Sequence, residues 1–197
     1  MSDYLLSFDT GISTGISLLS YTEDTVPVLE GAWQFSGGAE ELSEWLDFCY
    51  NEDEPEWDFA DLQFVYRYYA QPGSFKVICE AFTARNTKGF SYTTDSLEAL
   101  VGIGVLISRG LVDRKSKEYR APALQYLVGG KGAEARKRQH KFLKDSGYYC
   151  TGKDFDTPDA DDFRSSCAHA LNYLAREGHT PTFKMISDWV ERNPCAS

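Results

Sequence analysis

Three strand-like segments follow one another within the first 35 residues, and this succession constrains the fold more than any other feature. The apolar run 4–8 ends at Asp9, and segments 15–21 and 26–35 follow after short polar turns. Turns of a few residues can join only antiparallel neighbours, because a parallel connection needs a dozen residues or more. The sequence therefore predicts an antiparallel meander at the start of the chain.

Helices and one further strand are predicted in the rest of the chain. The clearest strand is 75–82, and Asp95 with Glu98 three residues later approximates a capping box. Apolar spacing or capping residues predict helices at 40–50, 59–69, 97–109, 133–145, 157–176 and 180–193. This order predicts a mixed α/β sheet flanked by helices. We expect one domain over residues 1–177 and a C-terminal extension, 178–197, that forms a short amphipathic helix.

Charge is distributed unevenly along the chain. The formal net charge of −10 argues against nucleic-acid binding. Segment 109–144, however, carries eleven Lys and Arg against three acids, whereas segment 38–65 carries ten acids and no base. A local basic stripe is what a phosphate backbone requires, although a solvated helix face is the alternative.

Cysteine usage and hydropathy indicate the compartment. The five cysteines form no CxxC pair, which argues against a disulfide framework or a zinc ribbon. The N-terminus has no basic region typical of a signal peptide, and the longest apolar run, 99–107, is too short to span a membrane. We expect a cytoplasmic protein, in a bacterial or phage-infected cell, with no membrane partner.

Four carboxylates stand at positions that suit chemistry. Asp9 ends the first strand, and Glu80 lies in an otherwise apolar strand, where an acid is costly to bury unless it is paired or bound to a cation. Asp159 and Asp162 open a helix on one face, whereas Asp161 falls roughly 200° from the buried stripe at ~100° per residue. Turn formation or interaction with the helix dipole can also explain single acids, and a one-step slip would exchange Asp161 for Asp159.

Carboxylate oxygens are ligands for hard cations such as Mg²⁺ and Mn²⁺ rather than for zinc. Two such ions ~4 Å apart can activate a water and stabilise the leaving oxygen of a phosphodiester. Bound cations would also offset the repulsion among clustered acids. The acids therefore suggest a metal site.

The order of these motifs resembles that of the RuvC-type Holliday-junction resolvases, which belong to the RNase H-like (retroviral-integrase) superfamily. The phage-type members of the family are among those that it resembles. The matching elements over about residues 4–176 are Asp9-Thr-Gly-x-x-x-Gly, Glu80 at a strand end, a small-residue helix at 96–110, Arg120-Ala121-Pro122, a Gly-rich turn, Lys137-Arg138-Gln139 and an Asp-Ala-x-Asp helix. Thr10 departs from the family, which often has Pro after the first Asp. The acidic segment 38–61 and the residues after Arg176 are also atypical.

The resemblance implies an RNase H-like mixed five-stranded sheet flanked by helices. It implies that the catalytic metal ligands are Asp9, Glu80, Asp159 and Asp162, with Mg²⁺ as the cofactor and Mn²⁺ as a substitute. Lys137 would lie near the scissile phosphate, and Phe82 would stack on an unpaired base. The candidate DNA-binding residues are Phe82, Arg85, Lys88, Arg114, Lys115, Lys117, Lys131, Arg136, Lys137, Arg138 and Lys141.

The expected function is structure-specific cleavage of branched DNA, four-way junctions above all, in recombination, repair or processing of replication intermediates. Alternatives are a broader flap or fork endonuclease and a non-catalytic DNA-binding domain. An actin-like or sugar-kinase-like ATPase shares Asp9-Thr-Gly-x-Ser-x-Gly but needs two such domains. Two symmetric cuts imply a homodimer, for which the helix at 97–107 is the candidate interface unless it is buried within the monomer.

Overall fold

The computed structural model describes residues 2–50, 75–80, 93–112, 127–148 and 161–195. Within these ranges lie four strands and five helices. The strands are β1 (Asp3–Asp9), β2 (Thr14–Thr22), β3 (Thr25–Phe35) and β4 (Phe75–Cys79). The helices are α1 (Gly38–Tyr50), α2 (Thr94–Ser108), α3 (Gly132–Asp145), α4 (Asp161–Arg176) and α5 (Thr180–Arg192).

The four strands form one mixed sheet in the order β3-β2-β1-β4. β1, β2 and β3 pair antiparallel, which confirms the predicted meander, and β4 runs parallel to β1. The mixed α/β class is therefore confirmed. The prediction of five strands is not met by the described residues, because no described segment pairs with the outer edge of β4.

Alternating side chains divide the sheet into two buried faces, since successive residues of a strand point to opposite sides. Leu5, Leu19 and Ile78 pack in one core with residues of α3, α4 and α5. Leu6 and Leu18 pack on the opposite face in a second core with residues of α1 and α2. The molecule is thus a central sheet with helices on both sides.

The two sides of α2 have different surroundings. Ala99, Gly102, Ile103 and Leu106 are buried, whereas Leu97, Leu100 and Val101 are exposed. The buried side of this helix fits the alternative of burial within the monomer. The expected dimer interface can therefore involve only the exposed side. Gly102 lies on the buried side, where a Cβ would be 3.0 Å from Cβ of Thr10.

The capping of α2 differs from the prediction. Thr93 is the N-cap, and its side chain accepts a hydrogen bond from the Ser96 backbone N–H. The Asp95 carboxylate instead accepts a hydrogen bond from the Ile12 N–H at 3.0 Å. The expected Asp95–Glu98 capping box is therefore wrong, because Asp95 binds the β1–β2 turn rather than its own helix.

The predicted C-terminal helix is present as α5. Ile186 and Trp189 are buried in the core beneath α3 and α4, and the Trp189 ring meets Phe142 edge-on with centroids 5.5 Å apart. Of the helices described, none has both the length and the apolar character needed to cross a membrane.

A glycine allows the first turn of α4 to lie directly on the sheet. Gly15 pairs with Asp9 on β1 and with Gln34 on β3. A Cβ added to Gly15 would lie 2.0 Å from the carbonyl carbon of Asp162. The Gln34 side chain accepts a hydrogen bond of 3.2 Å from the Phe163 N–H. The start of α4 is therefore held beside the end of β1.

Substitution of Gly15 by alanine should separate α4 from the sheet. We expect Gly15→Ala to lower the free energy of unfolding by about 1–3 kcal/mol, as overpacking does in well-packed cores. Gly104→Ala is the matched control, because nothing lies within 4 Å of a Cβ there. The control should be neutral or should stabilise α2 by up to about 1 kcal/mol. Equal denaturation midpoints for Gly15→Ala and wild type would contradict this contact.

Candidate metal centre

The alternation of side chains places two of the predicted acids on the sheet face that carries α4. Asp9 points to the same face of the sheet as Leu5, and Glu80 points to the same face as Ile78. The two residues of each pair are an even number of positions apart along the chain. Phe8 is in register with Cys79, and the Glu80 N–H donates to the Phe8 carbonyl at 2.8 Å. The two acids therefore lie where two neighbouring parallel strands end, on the same side of the sheet.

α4 supplies the other side of the site. Asp162, Ser165 and His169 are three and four residues apart, which places them along one helix face. The Ser165 hydroxyl donates a hydrogen bond to the Asp9 carboxyl, and the charge of Asp162 acts on the same carboxyl. His169 is fully buried, with Nε2 3.8 Å from Oε1 of Glu80. The sheet end and the helix face thus surround a single small space.

The electrostatics of this space disfavour an ionised Asp9. Asp9 is 8% exposed, and burial holds its pKa well above the ordinary value of 3.8. The adjacent Glu80 raises this pKa further, both by its charge and by a hydrogen bond that requires a shared proton, and Asp162 adds to the repulsion. Among the described residues, the Ser165 hydroxyl acts in the opposite direction and lowers this pKa. A nearby positive charge would reverse the balance.

The donor atoms lie close enough together to hold a metal ion. One ligand atom each from Asp9, Glu80 and His169 lie within 4.8 Å of one another. Two ligands of one ion lie at most about 4.2 Å apart when the metal–ligand distance is ~2.1 Å, so the 3.8 Å between Glu80 and His169 is compatible with a shared ion. The Glu80 side chain is 41% exposed and can adjust toward the buried partners. These residues can therefore hold a metal ion.

The turn that follows Asp9 is fixed from the opposite face of the sheet. The Thr10 hydroxyl donates to the Ala99 carbonyl of α2 at 3.2 Å, and Thr10 is buried. Asp95 holds the next part of the turn through Ile12. The position that differs from the resembled family, Thr10, thus has a structural partner in this chain. Two independent contacts orient the end of β1 and with it the Asp9 side chain.

The predicted site residues have different outcomes. The structure brings Asp9, Glu80 and Asp162 together at one end of the sheet. The residues that lie outside the described part of the chain are Asp159, Phe82, Arg85, Lys88, Arg114, Lys115 and Lys117, together with the side chain of Asp161. Among the described residues, Asp9 and Glu80 belong to the close group of donor atoms, whereas Asp162 acts on Asp9 through its charge.

The basic residues near α3 divide into exposed and internally bound side chains. Lys131, Arg136 and Lys137 are exposed. Lys141 is exposed too, and its ammonium contacts the Asp145 carboxylate at 2.5 Å. The prediction of Arg138 as a DNA contact is corrected. Its buried guanidinium donates to the Val128 carbonyl at 3.0 and 3.1 Å and to the Asn193 carbonyl at 2.7 Å, so it connects α3 to the chain end.

His169 and Ser165 were not among the residues predicted from the sequence. A usable signal existed for His169, because seven residues after Asp162 is within about 20° of two complete helical turns. The signal for Ser165 is its position three residues after Asp162. Cys79, by contrast, packs in the core on the opposite face of the sheet, and burial raises the pKa of its thiol to about 12.

Replacing Asp9 by asparagine should stabilise the metal-free protein in a pH-dependent way. The raised pKa of Asp9 means that its ionisation opposes folding as pH rises above 3.8, and the penalty is complete above the folded-state pKa. We expect Asp9→Asn to match wild type at acid pH and to exceed it at neutral pH, by on the order of 1 kcal/mol.

Thermal or urea unfolding across this pH range measures the difference. Added Mn²⁺ should stabilise wild type, by about 2.7 kcal/mol at a hundred times the dissociation constant, and should leave Asp9→Asn unchanged. A destabilised Asp9→Asn at neutral pH would show that the carboxyl is not strained by its surroundings.

In comparisons with known proteins, no family model matches this chain, and no curated protein or solved structure matches it.

Proposed function

We propose that this protein is a divalent-metal-dependent endonuclease that hydrolyses phosphodiester bonds of branched DNA. The proposed type of enzyme is the RuvC-like one that the order of its motifs resembles. The observation that carries the proposal is the convergence of Asp9, Glu80 and Asp162 at one end of the sheet. The RNase H-like assignment belongs to this proposal, and the described mixed sheet is compatible with its α/β class.

The chemistry of the side chains supports hydrolysis. When bound, divalent cations in such a site supply water activation and stabilisation of the leaving oxygen. Asp9, buried and oriented by Ser165, is the inner ligand. Glu80 is partly exposed and borders the side from which a phosphodiester can approach. Asp162 adds a third carboxylate from the helix.

A catalytic role is favoured over a non-catalytic DNA-binding domain. Carboxyl groups that repel each other in a buried space reduce stability, and such perturbed groups concentrate at functional sites. A domain that only binds DNA gains nothing from a buried Asp9 next to Glu80. An actin-like or sugar-kinase-like ATPase is disfavoured because such enzymes need two domains, and 197 residues suit one.

The exposed bases Lys131, Arg136 and Lys137 support a DNA substrate despite the acidic composition. Lys137 is proposed near the scissile phosphate, as the resemblance implies.

Junction cleavage also implies a homodimer, for which we propose the exposed apolar side of α2, around Leu100 and Val101. A monomer mass by light scattering, with and without junction DNA, would contradict the dimer.

Cleavage of defined DNA substrates tests the proposed function. Four-way junction, fork, flap and linear duplex are each incubated with protein in Mg²⁺, in Mn²⁺ and in EDTA. We expect metal-dependent cuts in branched DNA, with the junction preferred. Cleavage of forks and flaps at the same rate as the junction would instead favour a broader branched-DNA endonuclease. Undiminished cleavage in EDTA, or no cleavage of any substrate with either metal, would contradict the proposal.

The test variant in this assay is Asp162→Asn. Its matched control is Asp188→Asn, which removes an exposed carboxylate of α5. Asp162→Asn should lower the rate by at least about 100-fold, because loss of even an outer partner of a metal ligand lowers activity 10–100-fold. Junction binding should persist, since one negative charge near phosphate is removed. Asp188→Asn should cleave like wild type. Comparison of Asp159→Asn with Asp161→Asn identifies the remaining ligand.

The salt dependence of junction binding tests the basic surface of α3. We expect the double variant Arg136→Gln, Lys137→Gln to bind more weakly and to flatten the slope of log K against log salt by about 0.9 for each lost phosphate contact. Lys184→Gln on α5 is the control, because Lys184 is also exposed but lies outside the basic segment. An unchanged slope in the double variant would identify these residues as a solvated face.

A further inference from the structure

His169 is a buried imidazole that faces carboxylates rather than apolar side chains alone. It is fully buried on α4, one ring nitrogen lies 3.8 Å from a Glu80 oxygen, and it shares a compact donor group with Asp9. Neither the proposed cleavage nor the carboxylate set requires a histidine at this point. The position of His169 therefore needs a separate explanation.

The distance between His169 and Glu80 distinguishes two kinds of contact. A direct hydrogen bond between nitrogen and oxygen spans about 2.7–3.2 Å, so 3.8 Å is too long. Two atoms that ligate one cation are instead separated by about 3.0 Å when adjacent and about 4.2 Å when opposite, for a metal–ligand distance of ~2.1 Å. The observed spacing falls between these limits. The spacing of the pair is therefore compatible with two ligands of one ion.

The nitrogen donor also changes which cation is preferred. Mg²⁺ favours oxygen ligands and retains several waters, whereas imidazole is a ligand of transition metals. We propose that His169 is a nitrogen ligand of the cation held by Asp9 and Glu80, and that it makes this site select Mn²⁺ over Mg²⁺. The inference deepens the proposed metal-dependent function by assigning the metal, and it rests on that proposal only for the site's use in cleavage.

Metal binding by the full chain tests this selectivity without any DNA. Isothermal titration with Mn²⁺ alone and with Mg²⁺ alone gives two affinities for wild type, His169→Asn and His179→Asn. His179 is the control, because its ring binds Thr22 and Thr182 at the opposite end of β2. Wild type and the control should bind Mn²⁺ at least about tenfold more tightly than Mg²⁺. In His169→Asn, the Mn²⁺ affinity should fall about 10–100-fold, with a much smaller change for Mg²⁺.

Electron spin-echo spectroscopy of Mn²⁺ bound to the wild-type chain gives a second readout that needs no variant. Modulation from a directly bonded ¹⁴N should be present, and it should persist in His179→Asn. Absence of that modulation, or equal ratios of Mn²⁺ to Mg²⁺ affinity in wild type and a folded His169→Asn, would overturn the inference. Cleavage with either metal would still stand in that case. Conversely, Mn²⁺ selectivity without cleavage of any DNA would leave the inference and remove the nuclease.

Discussion

The repulsion between carboxyl groups at the end of β1 is the constraint around which the site is organised. Asp9 is buried beside Glu80 of the neighbouring parallel strand, so its ionisation is disfavoured unless an opposite charge joins them. In the metal-free protein, burial and the neighbouring Glu80 raise the pKa of Asp9, so protonation of Asp9 relieves the repulsion. A bound cation would relieve the same repulsion. The same geometry that disfavours an ionised Asp9 would therefore favour a bound metal ion.

The surrounding structure fixes this arrangement from two directions. On one side, the absence of a side chain at Gly15 and the hydrogen bond from Phe163 to Gln34 hold the start of α4 against the sheet. On the other side, Thr10 and Asp95 tie the turn after β1 to α2. These contacts fix the end of β1, and Asp9 with it, relative to α4 and α2. Such supporting contacts are what a preorganised site requires.

Much of this arrangement could be predicted from local patterns, and the rest depends on contacts distant in sequence. The meander and the importance of Glu80 follow from alternation and from an acid within an apolar strand. Arg138 was misassigned because a run of bases does not reveal which long side chain turns inward to bind carbonyls. Asp95 was misassigned because its partner lies 83 residues away. His169 is hard to single out from the sequence, because a histidine among apolar helix residues is usually an ordinary core residue.

The central claim is that a divalent cation takes the place of the proton held at Asp9. Calorimetric titration with Mn²⁺ at a series of pH values, repeated in buffers of different ionisation enthalpy, measures the protons released on binding. The account predicts a net release of up to about one proton per ion bound in wild type, declining as the pH is raised above the pKa of Asp9. Binding that releases no proton at any pH, or that persists unchanged in Asp9→Asn, would contradict it.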